Sequence, residues 1–452
     1  MKFETLILAA GKGTRMKSKL PKVLHKVGGK PMLQHVIDAA KQAGSQREVV
    51  VIGSGAELVQ QTISGVEFVE QTQQLGTGHA VLMARKNFDH SSGTLLILCG
   101  DTPLLTSKLL QNFATAHENS KCAATVLTAE MPDPTGYGRV IHEDDGTFSR
   151  IVEDKDADAA QRKIREVNAG VYCFDVQKLF GALERVTNDN AQGEYYLPDV
   201  LAILKGDGET VGTFGAEYCE ETIGINSRVQ LAAAERILRQ RKTFELMNNG
   251  VTIVDPHSTF IDVDVEIGQD TVIHPNTYLE GATKIGSDCD IGPDVRFVNM
   301  TVGNNVTAHF SYCHDAEIYN DVTIGPYVHV RPGTKISDRV KVGNFVEIKN
   351  STIGKGTKLP HLQYIGDSDV GEGVNIGCGT VTCNYDGKNK HRTKIGDNAF
   401  IGCNTNLVAP VSVGDGAYIA AGSTITKDVP MNNLAIARAR QTNIDNWNDK
   451  RK

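Results

Sequence analysis

The amino-acid sequence of 452 residues predicts two architectures in one chain: an α/β half with a Rossmann-like mixed sheet, then a left-handed parallel β-helix. Up to about residue 226, strand-like and helix-like segments alternate. A helical stretch follows at 227–248, and beyond it aliphatic residues recur at every sixth position. A chain of this length is expected to form two or three domains. We therefore divide it into domains at 1–226 and 251–452, joined by a linker helix at 227–250.

The first half contains short apolar segments typical of strands, separated by amphipathic segments typical of helices. This alternation implies parallel crossovers and helices on both faces of a sheet. Ligands of such sheets bind at the carboxyl ends of the strands. The predicted strands are 4–10, 48–53, 93–101, 123–131 and 169–176, and the predicted helices are 31–44, 77–88 and 107–120.

The second half has an apolar period of six, which fits neither an α-helix nor an alternating strand. It is the hexapeptide signature of a β-helix, whose short strands stack their aliphatic residues in a central column. The period breaks near 298–317 and 377–394, where we expect loops to leave the coil. The unbroken series are Ile267 to Phe297, Ile318 to Ile348 and Ile395 to Ile425.

A glycine loop follows the first predicted strand, in the segment LAAGKGTRM from Leu8 to Met16. It matches neither the P-loop nor the dinucleotide-binding fingerprint. Gly11 and Gly13 nevertheless allow backbone N–H groups to approach an anion closely, and Lys12 and Arg15 supply positive charge. The loop is therefore predicted to bind phosphate.

Asp101 follows another predicted strand, at the same edge of the sheet as the glycine loop. A carboxylate beside a phosphate loop is well placed to hold Mg²⁺, which prefers oxygen ligands. A turn or helix cap before Pro103 is an alternative role for Asp101. Several polar loops of this half, taken singly, are equally consistent with ordinary surface loops.

Composition excludes some classes of function. The net charge of −7 gives no reason to expect nucleic-acid binding. Nine cysteines without a C-x-x-C pair argue against a disulfide framework and a zinc site. The apolar run Thr5 to Ala10 is too short for a signal peptide, and no run is long enough for a membrane helix. We expect a cytoplasmic protein that binds no membrane.

Nine motifs in one order resemble the nucleotidyltransferases that join a sugar 1-phosphate to a nucleoside triphosphate. The resemblance is most specific for the bifunctional N-acetylglucosamine-1-phosphate uridylyltransferase and glucosamine-1-phosphate N-acetyltransferase family, and it covers essentially the whole chain. The motifs are LAAGKGTRM, LPKVLH, QLGTGHA, GD, PTGYGRV, IVEDKDA, EVNAG, NAQGEYY and GINSR.

The resemblance implies roles for residues of the first half. The glycine loop, with Arg15 and Lys22, would bind the triphosphate of UTP, and Asp101 and Asn226 would hold Mg²⁺. Cys99 departs from the family, which commonly has Tyr before Gly-Asp, so one nucleotide contact is in doubt. The implied nucleotide and sugar residues are Leu8, Ala9, Ala10, Gly11, Arg15, Lys22, Gln71, Gly76, Thr77, Cys99, Gly100, Asp101, Gly138, Glu153, Asn168 and Asn226.

A β-helix can serve only as an oligomerising scaffold, or it can carry acyl transfer from a coenzyme A thioester. Acyl transfer needs a base for the attacking amine, and histidine suits that role at neutral pH. Among seven histidines of this half, the resemblance of KLPHLQYIGD selects His361 as the base. It also implies a homotrimer, because coenzyme A sites of such β-helices lie between adjacent chains.

The same resemblance implies the substrate contacts of the second half. Arg331, Lys349, Tyr364 and Asn375 would bind glucosamine 1-phosphate, two of them as cations around its phosphate. Cys378 and Cys403 stand where the family often has Ala and Ser; both are small, so coenzyme A is expected still to fit, with a thiol-sensitive acetyl site as the alternative. The implied acetyl-coenzyme A residues are Cys378, Asn384, Tyr385, Cys403, Ala421 and Arg438.

The sequence therefore predicts a bifunctional enzyme of UDP-N-acetylglucosamine synthesis. It would acetylate glucosamine 1-phosphate with acetyl-coenzyme A and then couple N-acetylglucosamine 1-phosphate to UTP, releasing pyrophosphate. The product would feed cell-envelope polymers such as peptidoglycan. Two alternatives are a single-activity nucleotidyltransferase with a scaffolding β-helix, and one whose β-helix senses a ligand.

Overall fold

A computed structural model describes residues 3–451, and these residues form two compact units, 3–238 and 239–451. The division falls within the helix Arg228–Asn248. The sequence assigned this stretch to a separate linker, and that assignment stays a prediction. No helix among the described residues is long and apolar enough to cross a membrane.

The first unit is built on a mixed sheet, and helices with one buried apolar face pack on it. Most neighbouring strands are parallel, but Glu166–Asp175 runs antiparallel to both of its neighbours. A hairpin of Arg139–His142 and Phe148–Val152 extends from that strand. The sheet order is Val211–Gly215, Ala124–Glu130, Glu166–Asp175, Thr94–Cys99, Phe3–Ala9, Ser45–Ile52 and Glu67–Glu70.

The predicted helices 31–44 and 107–120 are present as Met32–Gln42 and Ser107–Ser120, whereas the single helix predicted at 77–88 is divided. There the structure has two helices, Thr77–Met83 and Arg85–Phe88, on either side of Ala84. Ala56–Thr62, Val176–Leu183 and Asp199–Gly206 are helices that the sequence analysis did not predict, and the boundary between the units lies within Arg228–Asn248.

The second unit is a left-handed β-helix of parallel strands, and it confirms the period-six prediction. Each turn of the coil contributes one short strand to each of three faces, and the aliphatic series is buried between them. The strands of the first face are Thr252–Ile253, Val272–Ile273, Asp290–Ile291, Thr307–Ala308, Thr323–Ile324, Lys341–Lys349, Lys358–Gly366, Asn375–Ile376, Phe400–Ile401, Tyr418–Ile419 and Leu434–Ala435.

The strands Lys341–Lys349 and Lys358–Gly366 continue around a corner of the coil, so each of them belongs to both the first and the second face. The second face also has Phe260–Ile261, Tyr278–Glu280, Arg296–Val298, Tyr312–His314, His329–Val330, Val381–Cys383, Asn406–Val408 and Thr424–Ile425. The third face has Glu266–Ile267, Lys284–Ile285, Thr301–Val302, Glu317–Ile318, Lys335–Ile336, Thr352–Ile353, Ser368–Val370, Thr393–Ile395 and Val411–Val413.

The two predicted interruptions of the coil have different outcomes. The prediction of a loop at 298–317 is wrong, because the parallel ladders continue through it. The period breaks there because some buried apolar residues are five rather than six positions apart, as from Phe297 to Val302 and from Ala308 to Cys313. Near 377–394 a loop does leave the coil between Cys383 and Thr393, closed by a bridge between Tyr385 and Lys390.

Candidate active sites

The first candidate site is a cavity of about 500 Å³ beside the carboxyl ends of the strands Phe3–Ala9 and Thr94–Cys99. These strands are parallel neighbours with Leu8 opposite Cys99, so the segments that follow them emerge side by side. Gly100 N donates a hydrogen bond to Leu8 O at 2.9 Å. Predicted residues in the cavity wall are Leu8, Ala9, Ala10, Gly11, Lys22, Gln71, Gly76, Thr77, Cys99 and Asp101.

The glycine loop is folded against Lys22. Gly13 has a left-handed φ of 59° and begins the turn Thr14–Met16. A Cβ atom at Gly13 would lie 2.6 Å from Lys22 Cβ, so glycine allows this close approach. Arg15 is exposed in the turn, and Lys12 is the loop cation that lines the cavity.

Lys22 connects two predicted metal ligands that are far apart in sequence. Its ammonium group forms an ion pair with Asp101 and donates a hydrogen bond to Asn226 Oδ1 at 3.0 Å. The Lys22 and Asp101 side chains are only 14% and 17% exposed, so solvent screens this attraction less than it would at the surface. The structure therefore brings a carboxylate oxygen and an amide oxygen together beside the glycine loop.

Gln71, Gly76 and Thr77 form the part of the wall that was expected to contact uracil. Buried Gln71 donates through Nε2 to Gly76 O at 3.1 Å. Gly76 has a φ of 113°, and a Cβ atom there would lie 2.5 Å from Tyr195 O. Thr77 Oγ1 accepts a hydrogen bond from Leu197 N at 3.0 Å. These contacts fix the wall against the segment around Tyr195.

Gly138, Glu153 and Asn168, the predicted sugar contacts, meet near the hairpin rather than in the cavity wall. Asn168 N donates to Gly138 O at 2.9 Å, and a Cβ atom at Gly138 would lie 3.2 Å from Glu153 Oε1. Asn168 Nδ2 also donates to Tyr172 OH at 2.7 Å. Burial, followed by the nearby carboxylates of Asp156 and Asp199, raises the pKa of Glu153 above its ordinary value.

Cys99, which departs from the family pattern, lies between the cavity and the strand Glu166–Asp175. Its thiol donates to Gly170 O at 3.4 Å. Burial, followed by the negative charge of Asp101, raises the pKa of Cys99 to about 12. The thiol is therefore neutral at physiological pH, so it contributes a small and weakly polar surface to the cavity.

Besides the loop cation Lys12, three polar residues of the cavity wall lay outside the residue assignments made from sequence: Thr14, Gln74 and Glu194. Gln74 donates through Nε2 to Gln71 O at 3.0 Å, and Glu194 also faces the cavity. Both lie within motifs that the sequence did show, QLGTGHA and NAQGEYY, so their position in those motifs was the available signal.

The second candidate site lies on the β-helix, where the strands Lys341–Lys349 and Lys358–Gly366 pair. Their register places Asn344 directly opposite His361. His361 Nδ1 lies 2.9 Å from Asn344 Oδ1, and His361 is exposed. An amide oxygen accepts, so Nδ1 carries the proton and Nε2 keeps a free lone pair. Asn344 was missed in the sequence because its partner is one coil away.

The register of this position continues along the β-helix. Lys358 lies opposite Asn375, and Tyr364 lies opposite Val381, which places His361 opposite Cys378. On the next coil, Asn375 pairs with Phe400 and Val381 pairs with Asn406. The offset is the same on both sides of the corner, so Cys378 lies opposite Cys403. Asn404 N donates to Cys378 O at 2.7 Å. We call the series Asn344, His361, Cys378, Cys403 and Ala421 the corner row.

A cluster of charged and polar groups lies on the neighbouring second face. Arg331 forms an ion pair with Glu347 at 2.8 Å. Lys349 forms an ion pair with buried Asp367 at 3.1 Å. Burial would raise the pKa of Asp367, but hydrogen bonds from Asn350, Lys349 and Asn384 outweigh it and lower that pKa. Asp367 is therefore a carboxylate that orients the cations around it.

The loop between Cys383 and Thr393 reaches this cluster through Asn384 and Lys390. Asn384 Nδ2 donates to Asp367 and, at 3.3 Å, to Tyr364 OH. Lys390 lies beside Lys349, and its interaction with that ammonium group lowers the pKa of Lys390. Lys390 is thus a second amine near Lys349, and no motif in the sequence singled it out.

Three predicted residues lie apart from this cluster. Asn375 is on the first face, in the strand Asn375–Ile376. Tyr385 is exposed on the loop, where its hydroxyl donates to Gly387 O at 2.7 Å. Arg438 donates to Ala421 O at 2.8 Å and so lies at the end of the corner row.

Comparison with known proteins relates both units to described families. Residues 5–193 match the MobA-like NTP transferase domain, and residues 264–298, 315–350 and 392–427 match the bacterial transferase hexapeptide of six repeats. The chain is 54% identical over 451 residues to the bifunctional protein GlmU of Geobacillus sp. (strain WCH70), covering 100% of this chain and 98% of that one.

Two further relatives carry the same name. The protein of Geobacillus thermodenitrificans (strain NG80-2) is 53% identical over 451 residues, covering 100% of this chain and 98% of the relative. That of Listeria monocytogenes serovar 1/2a (strain ATCC BAA-679 / EGD-e) is 52% identical over 439 residues, covering 97% and 96%. Because the identity extends through both the cavity and the β-helix, this chain belongs to the family of bifunctional GlmU proteins.

Proposed function

We propose that the two candidate sites carry the two reactions of this family, with the residues assigned below. The chain is a bifunctional enzyme that acetylates glucosamine 1-phosphate and then uridylylates N-acetylglucosamine 1-phosphate. The observation that carries the assignment is that each unit has its own convergent polar cluster, one at Lys22 and one at His361. A scaffolding or sensing β-helix is not retained, because the full-length identity includes the hexapeptide half.

The cavity of the first unit supports uridylyl transfer. A phosphate oxygen of N-acetylglucosamine 1-phosphate attacks the α-phosphorus of UTP, and pyrophosphate leaves. This displacement requires alignment and charge neutralisation rather than a protein nucleophile. The glycine loop, Lys12 and Lys22 would neutralise the triphosphate, and Gln71 would orient the base.

Asp101 and Asn226 fit a divalent cation, and we propose that it is Mg²⁺. Both side chains present oxygen to one ammonium group, so their oxygens already face a common point. A carboxylate and an amide oxygen are ligands of the kind that Mg²⁺ accepts alongside phosphates and water. When bound, the ion would offset negative charge that develops on the phosphates.

His361 is the proposed base of acetyl transfer. Its Nε2 takes the proton from the amine of glucosamine 1-phosphate as the amine attacks the thioester carbonyl of acetyl-coenzyme A, and coenzyme A leaves. Arg331 and Lys349 would bind the sugar phosphate, and Asn344 would keep the proton on Nδ1. Acetyl-coenzyme A would lie along the corner row, toward Arg438.

We also propose that the β-helix forms a homotrimer. A ridge beside the corner row exposes four large apolar residues, all with left-handed backbone angles that cost such residues about 1–2 kcal/mol each. Tyr327 stacks on Phe345 with ring centroids 5.4 Å apart. An exposed apolar ridge held in a strained conformation is expected to be covered by a second copy of the chain. The ridge consists of Phe310, Tyr327, Phe345 and Leu362.

Exchange of Phe345 for Asp tests the trimer. A charge on the ridge is expected to dissociate the oligomer in sedimentation velocity and to reduce acetyl transfer, while uridylyl transfer is retained. Exposed Tyr418 lies on the first face outside the ridge, so Tyr418→Asp is the matched control. A Phe345→Asp protein that remains a trimer would contradict the proposed interface.

The primary test of the second activity is acetylation of glucosamine 1-phosphate, followed by the release of free coenzyme A. The thiol reagent is added only after quenching, because exposed Cys403 would otherwise react with it. Release that depends on the sugar phosphate, and that His361→Ala abolishes, supports the assignment. Undiminished release from His361→Ala would remove His361 from this role.

The cellular location stays a prediction. All nine cysteines are free thiols, which fits a reducing compartment such as the cytoplasm. Fractionation of cells that produce the enzyme, with activity measured in each fraction, tests this prediction.

A further inference from the structure

The strand Glu166–Asp175 has a bulge beside the predicted sugar contact Asn168. Its register against the neighbouring strand shifts between Asn168, which lies opposite Thr128, and Tyr172, which lies opposite Val126. Four residues of this strand therefore span the length of two on its neighbour, about 7 Å instead of about 13 Å. A β-bulge re-aims the side chains around it, and bulges are frequent next to active sites. This bulge brings the side chains of Asn168 and Tyr172 together.

Gly170 lies at the centre of the bulge and is held from two sides. It has a left-handed φ of 71°, which glycine adopts without strain. Its backbone N donates to Asn168 Oδ1 at 2.9 Å, and its backbone O accepts from the thiol of Cys99 at 3.4 Å. A Cβ atom at Gly170 would lie 3.3 Å from Cys99 Sγ. The bulge is therefore fixed by the Asn168 side chain on one side and by the cavity wall on the other.

Tyr172 makes the second contact to the amide of Asn168. Asn168 Nδ2 donates to Tyr172 OH at 2.7 Å, and both side chains are buried. A backbone N–H can only donate, so the amide atom that Gly170 N contacts is the oxygen and the atom at Tyr172 OH is the nitrogen. The two neighbours thus require the same orientation of the amide. The position of Tyr172 is itself fixed, because its ring stacks on Phe174 with centroids 5.8 Å apart.

The oriented amide still has hydrogen-bonding capacity for a ligand. Beyond the bonds to Gly170 and Tyr172, it keeps one N–H on Nδ2 and one lone pair on Oδ1. A donor beside an acceptor is suited to a sugar hydroxyl or to an acetamido group, which carry both functions themselves. The backbone of Asn168 is anchored as well, because its N donates to Gly138 O at 2.9 Å. The direction of the free donor and acceptor therefore depends on the two contacts that orient the amide.

We propose that Tyr172 is a positioning residue of the sugar site, whose hydroxyl orients the Asn168 amide for N-acetylglucosamine 1-phosphate. This inference rests on the proposed uridylyl transfer and on the proposed role of Asn168 as a sugar contact. Tyr172 acts on the sugar and not on the nucleotide, because its hydrogen bond ends at Asn168. The residues assigned to UTP, such as Lys22 and Gln71, make their contacts elsewhere in the cavity.

Tyr172→Phe in the full-length enzyme tests the proposal, because it removes only the hydroxyl and keeps the ring in the core. We expect KM for N-acetylglucosamine 1-phosphate to rise by about tenfold, as for the loss of one buried hydrogen bond. KM for UTP should stay at the parent value, and kcat at saturating sugar should change by less than about twofold, since the lost interaction acts in binding. Tyr218→Phe removes an exposed hydroxyl from the same unit and should leave both KM values unchanged.

A double-mutant cycle shows whether Tyr172 acts through Asn168. In the background of Asn168→Ala, the further change Tyr172→Phe should leave kcat/KM for the sugar phosphate unchanged, because the amide that the hydroxyl orients is absent. Thermal unfolding followed by circular dichroism establishes that each variant is folded. A full tenfold loss in that background, or an equal rise of both KM values in Tyr172→Phe alone, would mean that the hydroxyl only stabilises the core and would overturn the proposal.

The parent enzyme is measured in the same assay, with pyrophosphate release as the signal. If the parent couples N-acetylglucosamine 1-phosphate to UTP and Tyr172→Phe has the parent's KM for the sugar phosphate, the further inference fails and the proposed function stands. If the parent releases no pyrophosphate with this sugar phosphate, the proposed uridylyl transfer fails, and this inference fails with it.

Discussion

Asp101 and His361, the two side chains with the most specific proposed roles, have opposite surroundings. Asp101 is mostly buried and faces a cation, so its charge is neutralised before any substrate arrives. His361 is exposed and faces an uncharged amide, so its lone pair is oriented without a fixed charge. Substitutions at these positions are therefore expected to affect one reaction each.

Asp101→Asn should abolish most of the uridylyl transfer. The change keeps the shape of the side chain but removes the charge that pairs with Lys22 and that would hold the cation. We expect the rate of UDP-N-acetylglucosamine formation to fall by roughly a hundredfold or more, since charge neutralisation carries most of this type of catalysis. Acetyl transfer by the same protein is the control, and an equal loss of both activities would indicate misfolding instead.

Asn344→Asp should shift the pH dependence of acetyl transfer. A carboxylate beside Nδ1 favours the imidazolium form and so raises the pKa of His361. The base acts in its neutral form, so the acid limb of kcat/KM should move to higher pH, by about one unit. Asn344→Ala should lower the rate without that shift, and an unmoved limb in Asn344→Asp would exclude Asn344 as a positioning residue.

At the scale of elements, the repeating coils of the β-helix could be predicted from the sequence, whereas the contacts that depend on strand register could not. The six-residue period gave the β-helix because every coil must bury an aliphatic residue at the same place, as Ile348 and Ile365 do on successive coils. Shortened turns at 298–317 disguised a continuous coil as a break. Asn344 and the corner row depend on which residues face each other across coils, and no local spacing displays that pairing.

The candidate sites show the same division. The order of the motifs singled out His361 and Asp101 as candidates because their neighbours in sequence are distinctive, and both roles stay proposals. Lys22 and Asn226 are in contact although they lie near opposite ends of the sequence of the first unit. Lys390 lies near Lys349 only because the loop between Cys383 and Thr393 folds back to it. Long-range contacts of this kind arise from tertiary packing, so a single sequence carries no local signal for them.

Gly343→Ala should weaken the β-helix at the proposed acetyl site. A Cβ atom there would lie 1.9 Å from Pro360 O, and a backbone oxygen cannot move away without separating the coils. We expect the free energy of unfolding to fall by about 1–3 kcal/mol, a typical cost of overpacking, and acetyl transfer to fall with it. Thermal unfolding followed by circular dichroism measures the change.

Gly181→Ala is the matched control for that substitution. A Cβ atom at Gly181 meets nothing within 4 Å, and the residue lies inside the helix Val176–Leu183, where alanine is favoured. This variant should be at least as stable as the parent protein and should keep both activities. Equal stability of the Gly343→Ala and Gly181→Ala proteins would contradict the close coil contact at Gly343.

At the scale of the whole molecule, the chain carries two proposed sites in two compact units, one containing Asp101 and the other His361. Each site is formed by residues of its own unit: the cavity by residues before 239, and the corner row by residues after it. The intermediate N-acetylglucosamine 1-phosphate is therefore expected to leave the second unit and to reach the first through solution.

Mixing two single variants tests this expectation. Asp101→Asn retains acetyl transfer and His361→Ala retains uridylyl transfer, so an equimolar mixture should convert glucosamine 1-phosphate to UDP-N-acetylglucosamine. Because the intermediate must accumulate in solution, product formation should show a lag, and the parent enzyme at the same concentration of each active site should show the same lag. Coupled detection of pyrophosphate and coenzyme A follows both steps together. A parent enzyme that forms product without a lag, while the mixture shows one, would mean that the intermediate passes directly between the sites.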